Sequence, residues 1–307
     1  MSDEKNEVSL VLGSGGARGL AHIGIIRWLE ENGYIIKSIS GCSMGAVVGG
    51  IYAAGKLDEF EQWVRAVKRL DIISLLDISW RKNGLVKGDK IIDTLVNLVG
   101  DQKIEELPIS YTAIAADISN EKEVWLQTGS LFDAIRASIS LPMFFTPFAI
   151  NGVDLIDGGV LNPVPIAPTF GDHTDITIAV NLGGAAEAKK PKKIEPVEKK
   201  SSIFHEKIGH YISKFQSSLI TDSVIDLSAY DIANQAFDAM QGTIARLKLA
   251  AYPPDYTVQI ARNACGTFDF DRASEIINLG YTTAEESLGP LLGGNKTPDK
   301  DSNIEVS

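Results

Sequence analysis

Short apolar runs alternate with amphipathic stretches along the first half of the chain. Val8-Ser9-Leu10-Val11-Leu12 runs into a glycine cluster and reads as a buried strand. Residues 20–32 follow with Ile23, Ile26 and Leu29 on one face of a helix. Ile35-Ile36-Lys37-Ser38-Ile39 is a second apolar strand, and 46–54 reads as a second helix. Farther on, the same reading predicts helices at 58–68, 90–99 and 131–138 and strands at 110–116, 123–127 and 176–182. Helices at 230–250 and 270–292 flank a strand at 256–261. Strand, helix, strand, helix at the start is a βαβα unit, so the fold class is α/β with a parallel pair. No internal repeat is evident.

Both early strands end in glycine. Gly41-Cys42-Ser43-Met44-Gly45 lies between a strand and a helix, the setting of a nucleophile elbow, in which a tight turn pushes the serine out of the sheet. Ser43 is the candidate acyl-transfer nucleophile, with Gly41 and Gly45 supporting the turn. The other loop is Gly13-Ser14-Gly15-Gly16-Ala17-Arg18-Gly19. A right-handed crossover sets the two loops at the carboxyl ends of neighbouring strands, where the Gly15 and Gly16 N–H groups point at a group bonded to Ser43, as an oxyanion hole requires. A dinucleotide fingerprint is disfavoured because Arg18 stands where its third glycine belongs and no acidic residue ends the next strand. A P-loop would need Gly-Lys followed by Ser or Thr, which this loop lacks.

The serine needs a base. Asn151-Gly152-Val153-Asp154-Leu155-Ile156-Asp157-Gly158-Gly159 puts Asp157 at the end of a short strand, before two glycines that let the chain turn. Asp154 falls at the strand start. The chain has four histidines. His173 lies in a polar loop, His205 and His210 follow a lysine run, and His22 is inside the first helix; each reads as a packed or solvated histidine. A Ser43–Asp157 dyad is the stronger assignment.

Three motifs, the glycine loop, the elbow and Asp157-Gly158-Gly159, resemble those of the patatin-like phospholipases in their compact bacterial form. Further matching stretches are Gly84-Leu85-Val86-Lys87-Gly88-Asp89, Ala113-Ile114-Ala115-Ala116-Asp117, Arg136-Ala137-Ser138-Ile139-Ser140-Leu141-Pro142 with Phe145 and Pro147, and Asn162-Pro163-Val164-Pro165. The resemblance spans about 8–182 and resumes over about 230–292. It implies a three-layer α/β/α patatin-like fold with a mainly parallel central sheet, and a serine hydrolase of lipid acyl esters, of lysophospholipase or phospholipase A type, working through an acyl-enzyme without metal or organic cofactor. Carried over by position, Ser43 is the nucleophile, Asp157 the base, and Gly15 and Gly16 the main oxyanion donors. Ala17 and Arg18 complete the oxyanion and substrate-binding loop, with Arg18 expected mainly to brace it. Gly13, Gly19, Gly41, Gly45, Gly158 and Gly159 support the motifs. Cys42 stands where a small hydroxyl residue is common, a change expected to alter packing rather than chemistry. Two other functions stay open: a non-catalytic lipid-binding or regulatory protein with the same fold, and a soluble short-chain esterase or thioesterase.

A carboxylate with a pKa near 4 is a poor acceptor for a serine proton, so the site must exclude water; Leu155-Ile156 and the loop 141–148 are the expected shelter.

At 307 residues the chain can bury a large core. The expected organisation is a flexible 1–7, a catalytic core at 8–185, a lysine-rich linker and amphipathic helical insertion at 186–225, a completing 226–292 and a disordered tail at 293–307. No run suits a bilayer span, the acidic start is unlike a signal peptide, and two cysteines without CxxC spacing suggest neither disulfides nor zinc, so a cytoplasmic location is the default expectation. A net charge of −11 argues against nucleic acid as a partner. The expected partner is a lipid or lysophospholipid acyl ester. Lys189-Lys190-Pro191-Lys192-Lys193 precedes an amphipathic stretch carrying Phe204, Ile208, Tyr211, Phe215 and Leu219. A solvated linker and packed helix is the first reading; peripheral membrane contact through 189–219 is the second, and a lid or dimer contact at 203–220 a third.

Overall fold

The computed structural model describes residues 6–68, 71–72, 75, 86–187 and 227–292. The expectations for the extreme amino terminus, the lysine run, the membrane, lid and dimer contacts at 189–219 and 203–220, His205, His210 and the tail lie outside those residues.

Eight strands form the sheet: β1 (Glu7–Leu12), β2 (Ile35–Cys42), β3 (Ser110–Asp117), β4 (Lys122–Leu126), β5 (Phe148–Ile150), β6 (Val153–Asp157), β7 (Ile176–Gly184) and β8 (Tyr256–Ala261). Their order is β5-β6-β3-β2-β1-β7-β8, with β4 also pairing β3. Strands β3, β2, β1, β7 and β8 run parallel; β4 and β6 are antiparallel to β3, and β5 to β6. The β5–β6 hairpin turns at Asn151 and Gly152, both at positive φ, as a tight hairpin turn requires.

Among the described residues the α-helices are α1 (Ala21–Glu31), α2 (Met44–Ala53), α3 (Leu57–Ala66), α4 (Asp89–Val99), α5 (Leu131–Ser138), α6 (Leu227–Ala251) and α7 (Ala273–Leu292). Side chains alternate across the central strands. Val8, Leu10 and Leu12 of β1 and Ile178, Val180 and Leu182 of β7 join the large core with α1, α2, α3, α4 and α7. Val11 and Ala179 face the other way, into a smaller core with Val164, Ile166 and Ala245 of α6. The result is a sheet covered by helices on both faces, a three-layer α/β/α architecture. The central strands are buried on both faces, mostly by apolar side chains, with Ser9, Ser38 and Ser40 among the buried exceptions.

The expected elements at 58–68, 90–99, 123–127 and 230–250 are present with ends shifted by one to three residues. The stretch at 270–292 splits into a 3-10 turn, Phe270–Arg272, and α7.

Candidate active site

The parallel strands β1 and β2 deliver the glycine loop and the elbow to the same edge of the sheet. Ser43 has φ 54° and ψ −122°, a strained backbone of the kind that clusters at reactive residues. A β-carbon on Gly41 would lie 2.5 Å from the Gly45 carbonyl, and one on Gly45 would collide with the carbonyl of Leu12. The strain is held by Ser138. The Ser43 N–H donates to Ser138 Oγ at 2.9 Å, and that hydroxyl donates to the Ile114 carbonyl at 2.6 Å. The elbow is thereby tied to the end of α5 and to β3.

Asp157 ends β6, which is antiparallel to β3. Asp157 pairs with Ala115 and Cys42 with Ile114, so the carboxylate and the elbow arrive at the same level. Its backbone N–H donates to the Ser140 carbonyl at 2.9 Å. Arg136, buried in α5, holds that neighbourhood by donating to Ser140 Oγ at 2.6 Å, to the Lys87 carbonyl and to the Thr146 carbonyl. Asp154 lies exposed on the same strand.

The Asp157 side chain is 1 % exposed and Ser43 9 %. Burial pushes the Asp157 pKa up from its ordinary 3.8 to about 6, against three donors that favour the charged form: the Ser43 hydroxyl, the Gly159 N–H and the Cys42 thiol. The Gly159 N–H reaches Asp157 Oδ1 at 2.8 Å and Cys42 Sγ donates to it at 3.8 Å. Cys42 thus does more than pack, because its thiol faces the carboxylate. Ser43 and this buried carboxylate line one small cavity.

In the glycine loop, Gly13 N–H donates to the Val180 carbonyl at 3.1 Å and Ser14 N–H to the Pro163 carbonyl at 2.8 Å. The Gly15 and Gly16 N–H groups donate to no acceptor among the described residues, and both glycines line the small cavity that holds Ser43 and Asp157. Gly16 has φ +55°, and a β-carbon there would lie 2.6 Å from the Thr267 carbonyl. Ala17 has no such freedom: its N–H is spent on the Thr267 carbonyl at 2.8 Å and its side chain is buried. Arg18 braces the loop as expected, donating from Nε to the Gly15 carbonyl at 3.1 Å and from Nη1 to the Arg262 carbonyl at 2.6 Å, with Asp238 3.5 Å from Nη2. Gly13, Gly19, Gly158 and Gly159 each lie against atoms that leave no room for a β-carbon.

The histidines described stand apart. His22 Nε2–H donates to the Gly13 carbonyl at 2.9 Å, and burial lowers its pKa to about 4, so it is neutral and supports the loop. His173 is exposed in the loop leading into β7, at the opposite end of the sheet from Ser43.

From Ser43 a cavity of about 160 Å³ runs between the large core and the loops, lined almost wholly by apolar side chains, among them Met44, Val47, Phe60, Leu95, Phe144 and Phe268. Leu141 lines both this channel and the small cavity of Ser43 and Asp157. The loop 141–148 therefore shelters the site as expected, but Thr267, Phe268 and Phe270 share the task. Those three, Ser138 and the α6 residues Phe237, Asp238 and Gln241 were not singled out from sequence. Phe268 and Phe270 offered a signal, two aromatic residues in a loop otherwise built of polar and small ones.

A family model described as "Patatin-like phospholipase" matches residues 10–170. An uncharacterized NTE family protein of Mycobacterium bovis is 37% identical, over 92% of this chain and 91% of that protein. Lysophospholipase NTE1 of Kluyveromyces lactis is 34% identical over 57% of this chain, which corresponds to 12% of that protein. Lysophospholipase NTE1 of Saccharomyces cerevisiae is 31% identical over 58% of this chain and 11% of its own length.

Proposed function

Because the chain belongs to the patatin-like phospholipase family, we propose that it is a serine hydrolase of lipid acyl esters, of lysophospholipase or phospholipase A type, working through a Ser43–Asp157 dyad. The observation that carries this reading is Ser43, on its strained turn, sharing one small cavity with a carboxylate whose pKa burial has raised to about 6, at the mouth of an apolar channel. The names of the yeast relatives, both lysophospholipases, agree with it.

In the mechanism that follows, Asp157 takes the proton of Ser43 Oγ as that oxygen attacks the ester carbonyl. A pKa near 6 makes the carboxylate a stronger base than an exposed aspartate while leaving it ionised at neutral pH. The carbonyl oxygen gathers negative charge and is received by the unpartnered Gly15 and Gly16 N–H groups; removing one such donor costs enzymes about 10²–10³ in rate. The protonated Asp157 hands its proton to the departing alcohol oxygen as the acyl-enzyme forms. Water then attacks the acyl carbonyl, Asp157 takes its proton, and the fatty acid leaves with Ser43 restored. Throughout, the acyl chain occupies the apolar channel, where burying each methylene contributes about 0.8 kcal/mol.

Labelling with a fluorophosphonate, with the adduct located by mass spectrometry, tests the assignment. The expected result is a Ser43 adduct, absent from Ser43→Ala and strongly slowed in Asp157→Asn. A folded wild-type protein that takes no label and hydrolyses no lipid ester would refute it.

A further inference from the structure

Beyond the apolar channel, a second and larger cavity, of about 430 Å³, opens on the other side of the dyad. It lies between the glycine loop, the carboxyl ends of β7 and β8, and α6. The small cavity of Ser43 and Asp157 borders both: it shares Gly16, Ser43, Leu141 and Thr267 with the apolar channel, and Ser14, Arg18, Asp238 and Gln241 with the larger one.

The two flanks differ in chemistry. The channel is apolar, whereas the larger cavity is lined by Arg18, Arg246 and Arg262 against a single carboxylate, Asp238, with Asn181 and Gln241 between them. This local excess of positive charge stands out on a chain of net charge −11. Arg18 and Asp238 face each other at 3.5 Å, which leaves Arg246 and Arg262 uncompensated among the described residues. Neither has an ion pair among the described residues; Arg246 donates only to its helical neighbour Thr243 Oγ1, at 3.0 Å. Asn181 is 4 % exposed, and its Oδ1 accepts the Gly183 N–H at 2.9 Å while its Nδ2 donates to nothing among the described residues. Two exposed arginines and a buried amide donor line one polar space. Guanidinium groups bind phosphate oxygens through paired, charge-assisted hydrogen bonds, and a carboxamide N–H adds a fixed donor.

We propose that this cavity binds the phosphate of the lipid headgroup, so that the substrate is a single-acyl glycerophospholipid with its chain in the apolar channel, its ester carbonyl at Ser43 and its phosphate on Arg246 and Arg262. This rests on the hydrolase reading above. A lipid headgroup is the source that the geometry favours: the cationic space shares four lining residues with the cavity of Ser43 and Asp157 and none with the apolar channel, so it borders the site away from the channel, where the alcohol half of an ester held at Ser43 must lie.

The test compares 1-oleoyl lysophosphatidate with 1-oleoylglycerol, below their critical micelle concentrations, on wild type and on Arg246→Gln/Arg262→Gln. Hydrogen bonds to charged groups contribute about 1.5–3 kcal/mol. The preference of wild type for the phosphate-bearing lipid is therefore expected to fall by about tenfold or more in the double variant, carried by KM. Calorimetry with sn-glycerol 3-phosphate on Ser43→Ala, in which no turnover is possible, is expected to show binding that the two arginine substitutions abolish. In wild type the same compound is expected to compete with the lipid. An unchanged preference in the folded double variant would overturn the proposal, as would stimulation of turnover by glycerol 3-phosphate, which would mark an effector site. If wild type hydrolyses neither lipid while Ser43 still takes the fluorophosphonate label, this proposal is overturned and the hydrolase reading stands; if Ser43 takes no label and no lipid ester is hydrolysed, the hydrolase reading fails too, and glycerol 3-phosphate binding that survives in that case would assign the cavity to free phosphate esters.

Discussion

Replacing Asp157 with asparagine is expected to remove catalysis and to make the protein more stable. The carboxylate is 1 % exposed, and its pKa rises from 3.8 to about 6 on folding, a difference of about 2 units at 1.36 kcal/mol each, or about 3 kcal/mol. A carboxyl group with a higher pKa in the folded state holds its proton more tightly there. Its stabilising effect is complete below about pH 4 and is lost as pH rises through 6, so at pH 7.5 the charged Asp157 opposes folding by about that amount. Asparagine has the same shape, keeps an oxygen for the Gly159 N–H at 2.8 Å, and carries no charge. Thermal unfolding at pH 7.5 is expected to shift upward by about 5 °C or more, since 1 kcal/mol is worth roughly 2–4 °C in a domain of 150–250 residues. The gain is expected to vanish near pH 4, where wild-type Asp157 is protonated. Ester turnover, measured on the same preparations, is expected to fall by about 10²–10⁴, the usual contribution of a positioned base. In wild type, kcat/KM is expected to rise with pH about a midpoint near 6. A variant with an unchanged or lower Tm at pH 7.5 and the wild-type slope of stability against pH would refute the reasoning.

Two further substitutions probe the neighbours of the dyad. Ser138→Ala removes the acceptor of the Ser43 N–H and the donor to Ile114; chemical denaturation is expected to show a loss of about 1–3 kcal/mol, and turnover to fall at least about tenfold as the elbow relaxes. Cys42→Ala removes a donor that holds the Asp157 pKa down, so the acid limb of the kcat/KM profile is expected to move to higher pH; a limb that stays in place would mean that the thiol does not act on the carboxylate.

The parts of the site legible in sequence were those that a short stretch of chain determines. Strand, glycine loop and helix follow one another within about thirty residues, so the pattern that predicts β1, α1, β2 and α2 also predicts which loops meet. Asp157 was legible as the end of a strand, but its strand is one arm of a hairpin whose other arm, Phe148–Ile150, is only three residues long. Such a segment has no room for alternation; the Asn151–Gly152 pair was its only local mark. Cys42 illustrates a different obstacle. Its thiol meets Asp157 across 115 positions of sequence, and nothing local to Gly41-Cys42-Ser43 says which way the side chain turns. The α6 residues Phe237, Asp238 and Gln241 reach the dyad cavity only because that 25-residue helix lies on the second face of the sheet, a packing decision taken over the whole fold.

The chain order of these parts has an evolutionary consequence. Ser43, Asp157, Ser138 and the two free glycine N–H groups all lie within residues 10–170, the stretch that the family model matches. Phe268 and Phe270 of the channel, and Arg246 and Arg262 of the cationic cavity, lie beyond it. The proposed dyad and most of the channel wall thus come from one continuous stretch, and the proposed phosphate-binding arginines from another. A lineage could exchange the side chains at 246 and 262 while keeping the backbone carbonyls of Thr267 and Arg262 that hold the glycine loop, and the members of this family are expected to diverge faster in the headgroup they accept than in how they cut.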